Sequence, residues 1–329
     1  MSDSRNIVVA LVGGVGYLGY NLLYEHSSRG HSVYVVAREK SVERRRALVR
    51  EIEGNVEEIV VYNSLRDTES VDEFLSKYGC PDIMYLTLGK LIGRWDELEE
   101  ANAKIPFLWG RRFVDQCKNS SLVYISSILS IGKPPNRSSE VIVEEEEHLK
   151  NYTPSGIHSK SKMLGERNIK SLCGRGAQVI IIRPGILIGR WCYHKEWRLL
   201  SKLASFHVRL VGGPNLHFVA ARDIARIVLL LRSYSNVHGC VWVNAAPWRA
   251  KIGDIHRYFL EYRGIKYSVP IPLPSSIPTW IPGLPSILKE YRLLTQYRIR
   301  SAILDQLGFK WTNLEDSLKE AVEWLSSSY

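Results

Sequence analysis

The stretch IVVALVGGVGYLGYNLL, residues 7–23, decides the fold. Its first six residues are apolar and rich in valine, as in a strand buried on both faces. Gly13, Gly16 and Gly19 follow at GxxGxxG spacing and open a helical pattern. Such a triplet gives a tight turn, lets the backbone approach a pyrophosphate closely, and aims the free N–H groups of a helix start at negative charge. On this reading Gly13, Gly16, Tyr17, Leu18 and Gly19 hold a dinucleotide. The alternative is a glycine turn that only packs helix on sheet. A signal peptide is not expected, because Asp3 precedes the run, four glycines interrupt it and no small-residue cleavage pattern follows.

Five more apolar runs recur at intervals: SVYVVA (32–37), EEIVVY (57–62), DIMYLTL (82–88), SLVYIS (121–126) and QVIIIR (178–183). Amphipathic segments such as VERRRALVREIEG separate them. The alternation predicts an α/β fold with a doubly wound, Rossmann-type parallel sheet. Residues 1–190 are expected to form the dinucleotide-binding domain, completed by about 215–247, where HFVAARDIARIVLLL (217–231) reads as a strand end and a helix. Residues 191–214 and 248–329 are expected to form a smaller, mainly helical substrate region. The segment 268–288 holds six of the 14 prolines, so no long regular helix runs through it. It is apolar, contains Trp280 and precedes Lys289, Arg292, Arg298 and Arg300. That combination fits either peripheral membrane contact through 270–285, a cover for a greasy substrate, or a packed loop.

The 329 residues are 45% hydrophobic and 24% charged, enough chain for one or two globular domains. Five cysteines stand far apart, without CxxC or Cys/His metal spacing. A reducing, cytoplasmic setting and no metal site are therefore the expectation. Net charge is +10, but the basic residues are scattered apart from Arg44, Arg45 and Arg46, and no nucleic-acid-binding motif accompanies them. Nucleic acid is not an expected partner. The acidic run Glu144 to Glu147 reads as a solvated face.

The second strand run ends at Ala37, where an NAD-preferring site carries an acidic residue, and Arg38 follows it. A carboxylate would repel a 2′-phosphate, whereas an arginine can fork onto it. The expected cofactor is thus NADP rather than NAD.

With these residues in place the chain resembles the extended short-chain dehydrogenase/reductase family, nearest its 3β-hydroxysteroid dehydrogenase-like and epimerase/dehydratase branches. VGGVGYLG matches the family's cofactor turn, and DIMYLTL the strand that lines the cofactor. YISSILSIG (124–132) matches the strand with the active-site serine, IIRPGILIG (181–189) the Arg-Pro turn, and FVAARDIARIV a later strand-to-helix stretch with Asp223. Asn102 falls on the family's helix asparagine. The resemblance implies Leu86, Lys162 and Pro184 as further cofactor contacts and Ser127, His158 and Lys162 as the catalytic set. In the family a Tyr and a Lys four residues later share a helix face, where the Lys holds the nicotinamide ribose and lowers the Tyr pKa. In GIHSKSKMLGE (156–166) the lysine is Lys162, and the Tyr position is His158. Three readings stay open. His158 is itself the acid/base, another group such as Tyr152 replaces it, or the site binds a cofactor without turnover. As a plain helix start, the stretch would be capped by Ser155 or Ser159. Leu216 stands where nucleotide-sugar members carry a phosphate-holding arginine, so the expected substrate is a small apolar molecule with a hydroxyl or carbonyl.

Overall fold

The computed structural model describes residues 6–133, 141–145, 152–234, 239–275, 290–291 and 297–327. All six apolar runs form strands: β1 (Val8–Val12), β2 (Ser32–Arg38), β3 (Glu58–Tyr62), β4 (Ile83–Leu86), β5 (Ser121–Ile125) and β7 (Gln178–Pro184). With β11 (Cys240–Ala245) they build a seven-stranded parallel sheet in the order β11-β7-β5-β4-β1-β2-β3. The order reverses between β1 and β4, the crevice where doubly wound sheets bind ligands at their strand C-termini. Helices α1 (Tyr17–Ser27), α2 (Glu39–Arg44), α3 (Arg46–Ile52), α4 (Glu69–Tyr78), α5 (Trp95–Glu99), α6 (Ile105–Gln116) and α7 (Ile157–Lys170) occupy the connections.

Side chains alternate across this sheet into two cores. Val9, Leu11, Val35, Ile83 and Tyr85 enter one. Ala10, Val12, Val36, Met84 and Leu86 enter the other. Burial on both faces explains the unbroken apolar runs, and each such aliphatic side chain contributes about 1.5–3 kcal/mol.

The later chain differs from expectation. HFVA of 217–220 belongs to β10 (Asn215–Ala220), which joins β8 (Ile186–Ile188) and β12 (Trp248–Lys251) in a separate three-stranded sheet. The helix that follows, α9 (Ala221–Ser233), does pack on α1 and β7. The strand that completes the large sheet is instead β11, whose run carries the half-buried Trp242 and the polar Asn244. Among the described residues of 248–329, short strands stand beside the helices. β13 (Val269–Leu273) pairs with β9 (Val208–Gly212), and β14 (Tyr297–Ile299) with β6 (Val141–Val143). Pro270 and Pro272 fit β13 because it is an edge strand. Trp280, Lys289 and Arg292 lie outside the described residues, as does 276–285 of the expected membrane segment. Helices α8 (Lys195–Ser205) and α10 (Ile252–Tyr262) and the C-terminal helix Leu314–Ser327 complete this region.

Four cysteines far apart in sequence meet in pairs. Cys80–Cys117 and Cys173–Cys240 are joined as disulfides, each with a Cα–Cα distance of 5.4 Å, within the usual range. Their separations of 37 and 67 residues carry no local signal, and the sheet topology alone brings them together. Cys192 is free and buried. No helix among the described residues is long and apolar enough to cross a membrane.

Candidate active site at the strand C-termini

The glycine turn closes β1 onto α1. Gly13 adopts φ +84°, in the left-handed region, and its N–H reaches Val36 O at 2.8 Å. A Cβ on Gly19 would stand 2.0 Å from Gly14 O, so only glycine lets α1 sit this close to the turn. Gly16 caps α1 in extended conformation with no side-chain cap, and no acidic residue stands in the first turn. These features suit an anion at the helix start. The Tyr17 N–H there donates to the Tyr193 hydroxyl at 3.1 Å. Tyr193 stacks on His194, and the Arg45 guanidinium lies 5.3 Å from its ring centre. Of the arginine cluster, therefore, Arg45 stands beside the turn. The turn fits the pyrophosphate of a dinucleotide, with the Tyr193 phenol as competitor for one N–H. Tyr193→Phe is expected to tighten dinucleotide binding by about 2- to 10-fold, from the roughly 0.5–1.5 kcal/mol net value of one hydrogen bond. Titration calorimetry reads this directly, and weaker binding would make the phenol a ligand rather than a competitor.

The other cofactor positions named from the sequence lie at the same sheet edge. Ala37 is fully buried, and Arg38 after it is exposed. Leu86 ends β4, paired with Val12 and Tyr124. Pro184 ends β7 opposite Ala245. Both side chains are buried, which leaves their backbones to line the crevice.

Helix α7 brings the catalytic candidates together. His158, Ser161, Lys162 and Glu166 are all buried. Lys162 Nζ donates to Ile125 O at 2.8 Å, at the end of β5. Burial lowers its pKa to about 8, against the opposing pull of Glu166. Ser127, two residues on, accepts from Leu129 N–H at 3.2 Å and caps a short 3-10 turn. Among the described residues it bonds neither His158 nor Lys162, so the serine lies near the set without a direct link.

His158 is 1% exposed. Its Nδ1 lies 3.2 Å from Lys90 O. A carbonyl only accepts, so Nδ1 carries the proton and Nε2 of the neutral ring is a bare acceptor. Nε2 has no partner. Burial first, then the Lys162 charge, push the ring down to about 3 despite the Lys90 bond. The Lys90 backbone is itself fixed by Asn102, whose amide receives Lys90 N–H and donates to Lys90 O, both at 2.9 Å. Asn102 also donates to Ser161 Oγ at 2.9 Å. Asn102 sits in a π-helical turn, Glu100–Lys104, between α5 and α6, an irregularity common at functional sites.

The start of α7 is capped neither by Ser155 nor by Ser159. Glu290 accepts from His158 N–H at 3.1 Å and Ser159 N–H at 2.8 Å, while Ser159 Oγ donates to Leu129 O and accepts from Ser155 N–H, which lies before the helix. A Cβ on Gly156 would fall 2.3 Å from Glu290 Oε1, so glycine there admits the carboxylate. Sequence reasoning missed Glu290 because it lies 132 residues from His158.

Glu166 anchors the far end of the site. Arg183 grips it through Nε at 2.9 Å and Nη2 at 2.6 Å. Ser126 and Ser130 donate to the same carboxylate, and Trp242 Nε1 does so at 3.3 Å. Burial would raise the Glu166 pKa, but the Arg183 charge and these bonds outweigh it and hold the carboxyl below its ordinary value. Tyr152, the substitute considered above, lies against Gly132 and the small cluster of Ile128, Leu129, Val143 and Tyr297. The acidic run also needs correction. Glu145 is buried and accepts from Ala302 N–H at 2.9 Å, so it holds the C-terminal region rather than facing solvent. Glu146 and Glu147 lie outside the described residues.

The sequence from 9 to 243 matches the profile of the NAD dependent epimerase/dehydratase family. The chain belongs to this family. No curated protein matches it. Among solved structures it is similar to WbmG of Bordetella bronchiseptica in complex with NAD and UDP, at 14% identity and TM-score 0.73, covering 99% of this chain and 96% of that one. It is similar also to a UDP-glucuronic acid 4-epimerase from Bacillus cereus in complex with UDP-glucuronic acid and NAD, at 15% identity and TM-score 0.69, covering 98% and 100%. Pal from Bacillus thuringiensis is alike at 16% identity and TM-score 0.71, covering 98% and 100%. At these identities the likeness establishes the extended short-chain dehydrogenase fold.

Proposed function

We propose that this family member is a nicotinamide-dinucleotide oxidoreductase that oxidises a hydroxyl of a small apolar molecule, with His158 Nε2 as proton acceptor. The observation that carries the reading is the fixed tautomer of His158, which leaves a buried, unpartnered lone pair one helical turn from Lys162. The dinucleotide, when bound, supplies the hydride acceptor. Gly13, Gly16, Tyr17, Leu18 and Gly19 would hold its pyrophosphate, and Lys162 its ribose beside the nicotinamide. The Lys162 ammonium favours negative charge on a substrate oxygen as its proton leaves for Nε2. The π turn, through Asn102 and Lys90, keeps the imidazole oriented.

Apolar substrate character has support at the rim. Leu91, Ile92 and Ile157 flank Lys90 and His158 and are 49%, 51% and 40% exposed. Leu216, at the position of the phosphate-holding arginine, is packed in the core, so a nucleotide-sugar substrate lacks its anchor there.

Arg38 underlies a preference for NADP. Arg38→Asp is expected to lower NADP affinity by at least about tenfold and leave NAD affinity unchanged or better, since a charged hydrogen bond is worth about 1.5–3 kcal/mol. Equal loss of both affinities would remove Arg38 from cofactor choice. Acidity gives a second check. With His158 near 3 and Lys162 near 8, the turnover profile should show no limb near 6.5. Activity should instead fall as pH rises through about 8, when the ammonium loses its proton. A limb near 6.5 would mean that His158 titrates as an ordinary histidine.

The near-complete burial of His158 favours a second reading, a dinucleotide-binding protein without turnover. The reduced-nicotinamide absorbance band, followed with a panel of secondary alcohols and ketones, separates the two. Hydride exchange with any of them sinks the second reading, and tight dinucleotide binding with no exchange across the panel sinks the first.

A further inference from the structure

The face formed by α8, β9 and β13 has no role in the site. On α8, Leu199 and Phe206 are 56% and 67% exposed, and Lys202 lies between them with Nζ 5.8 Å from the Phe206 ring centre. Residues 199, 202 and 206 fall on one helical stripe. Val269 N–H donates to His207 O at 2.7 Å. That bond sets Phe206 beside the start of β13, where Tyr267 and Val269 are 87% and 65% exposed. Ile271, two residues on and on the same face of β13 as Val269, is also exposed. Across residues 195–212 and 262–275 stand six basic residues and one acid, Glu196.

From this combination we propose that the α8–β9–β13 face docks on an anionic lipid surface, with Phe206, Tyr267 and Val269 entering the headgroup boundary and Lys202 and Lys266 facing lipid phosphates. Exposed aromatic and aliphatic side chains ringed by lysine and arginine are what such an interface needs. Charge argues against a second copy as the occupant, because a two-fold contact would set the basic residues against their own copies. The apolar centre argues against a polyanion without lipid. The face is separate from the glycine turn and α7, so docking would hold the crevice near a membrane-dissolved apolar substrate without altering its chemistry.

The test is cosedimentation of the full chain with phosphatidylcholine vesicles, with and without phosphatidylserine. Binding should require phosphatidylserine and weaken as salt rises. Lys202→Glu/Lys266→Glu should reduce it by more than about twentyfold, at about fivefold per basic residue lost. Phe206→Ser/Tyr267→Ser/Val269→Ser should also release the protein. These side chains are exposed, so both variants should keep the wild-type circular dichroism and dinucleotide affinity. Equal binding to vesicles without phosphatidylserine, or wild-type binding by either variant, would overturn the proposal. So would sedimentation velocity showing that the serine variant splits a dimer while vesicle binding is unchanged.

Discussion

His158→Ala is expected to lower turnover by at least about 100-fold, the range that positioned acid–base groups contribute, while dinucleotide affinity stays within about twofold. The separation follows from geometry. The imidazole is held through Lys90 O, whereas the glycine turn meets Tyr193. Its polar atom without a partner among the described residues is Nε2. Alanine removes that acceptor and leaves the Glu290 cap on the α7 backbone, because the cap uses the residue's N–H. His158→Tyr offers a complementary result. A phenol reaches about 2 Å farther than imidazole, and misplacement on that scale is costly. The tyrosine variant is therefore expected to recover little activity, since the pocket is built around the shorter ring and its bond to Lys90.

Arg183→Ala is expected to cost about 3–5 kcal/mol of folding stability, the usual penalty for stranding one member of a buried ion pair. Arg183 is fully buried and Glu166 nearly so. Ser126, Ser130 and Trp242 would remain on the carboxylate but carry no charge. Chemical denaturation measures the loss. Arg183→Leu combined with Glu166→Leu should recover most of it, because apolar replacement of both partners is often near neutral. If the single alanine variant cost under about 1 kcal/mol, the pair would be solvated in solution and the rigid link between α7 and β7 would fail.

The large sheet was legible because its strands are buried on both faces and so read as unbroken apolar runs. The glycine turn was legible because its spacing is local. Lys162 and Glu166 followed from their positions on one helix. Other features depend on contacts that sequence distance hides. Glu290 reaches α7 from the C-terminal region, and Tyr193 reaches the Tyr17 N–H across 176 residues. The paired cysteines meet only once helix ends and strand starts are stacked at the sheet edge. Glu145 looked solvated because it stands in an acidic run, yet an N–H of another segment draws its carboxylate inside. The tautomer of His158 is set by a backbone carbonyl, which no residue type reveals. β10 read as a strand end followed by a helix, but its apolar run does not reveal that it pairs with β8 and β12.

The most direct measurement is a rapid-mixing absorbance assay at the reduced-nicotinamide band, with oxidised dinucleotide and secondary alcohols of increasing apolar size, on the wild type and His158→Ala side by side. The expected result is reduced nicotinamide with the wild type and none above background with the variant, both proteins binding dinucleotide equally in calorimetry. Equal hydride transfer by the two proteins would contradict the role of His158 Nε2, and with it the proposed chemistry of the site.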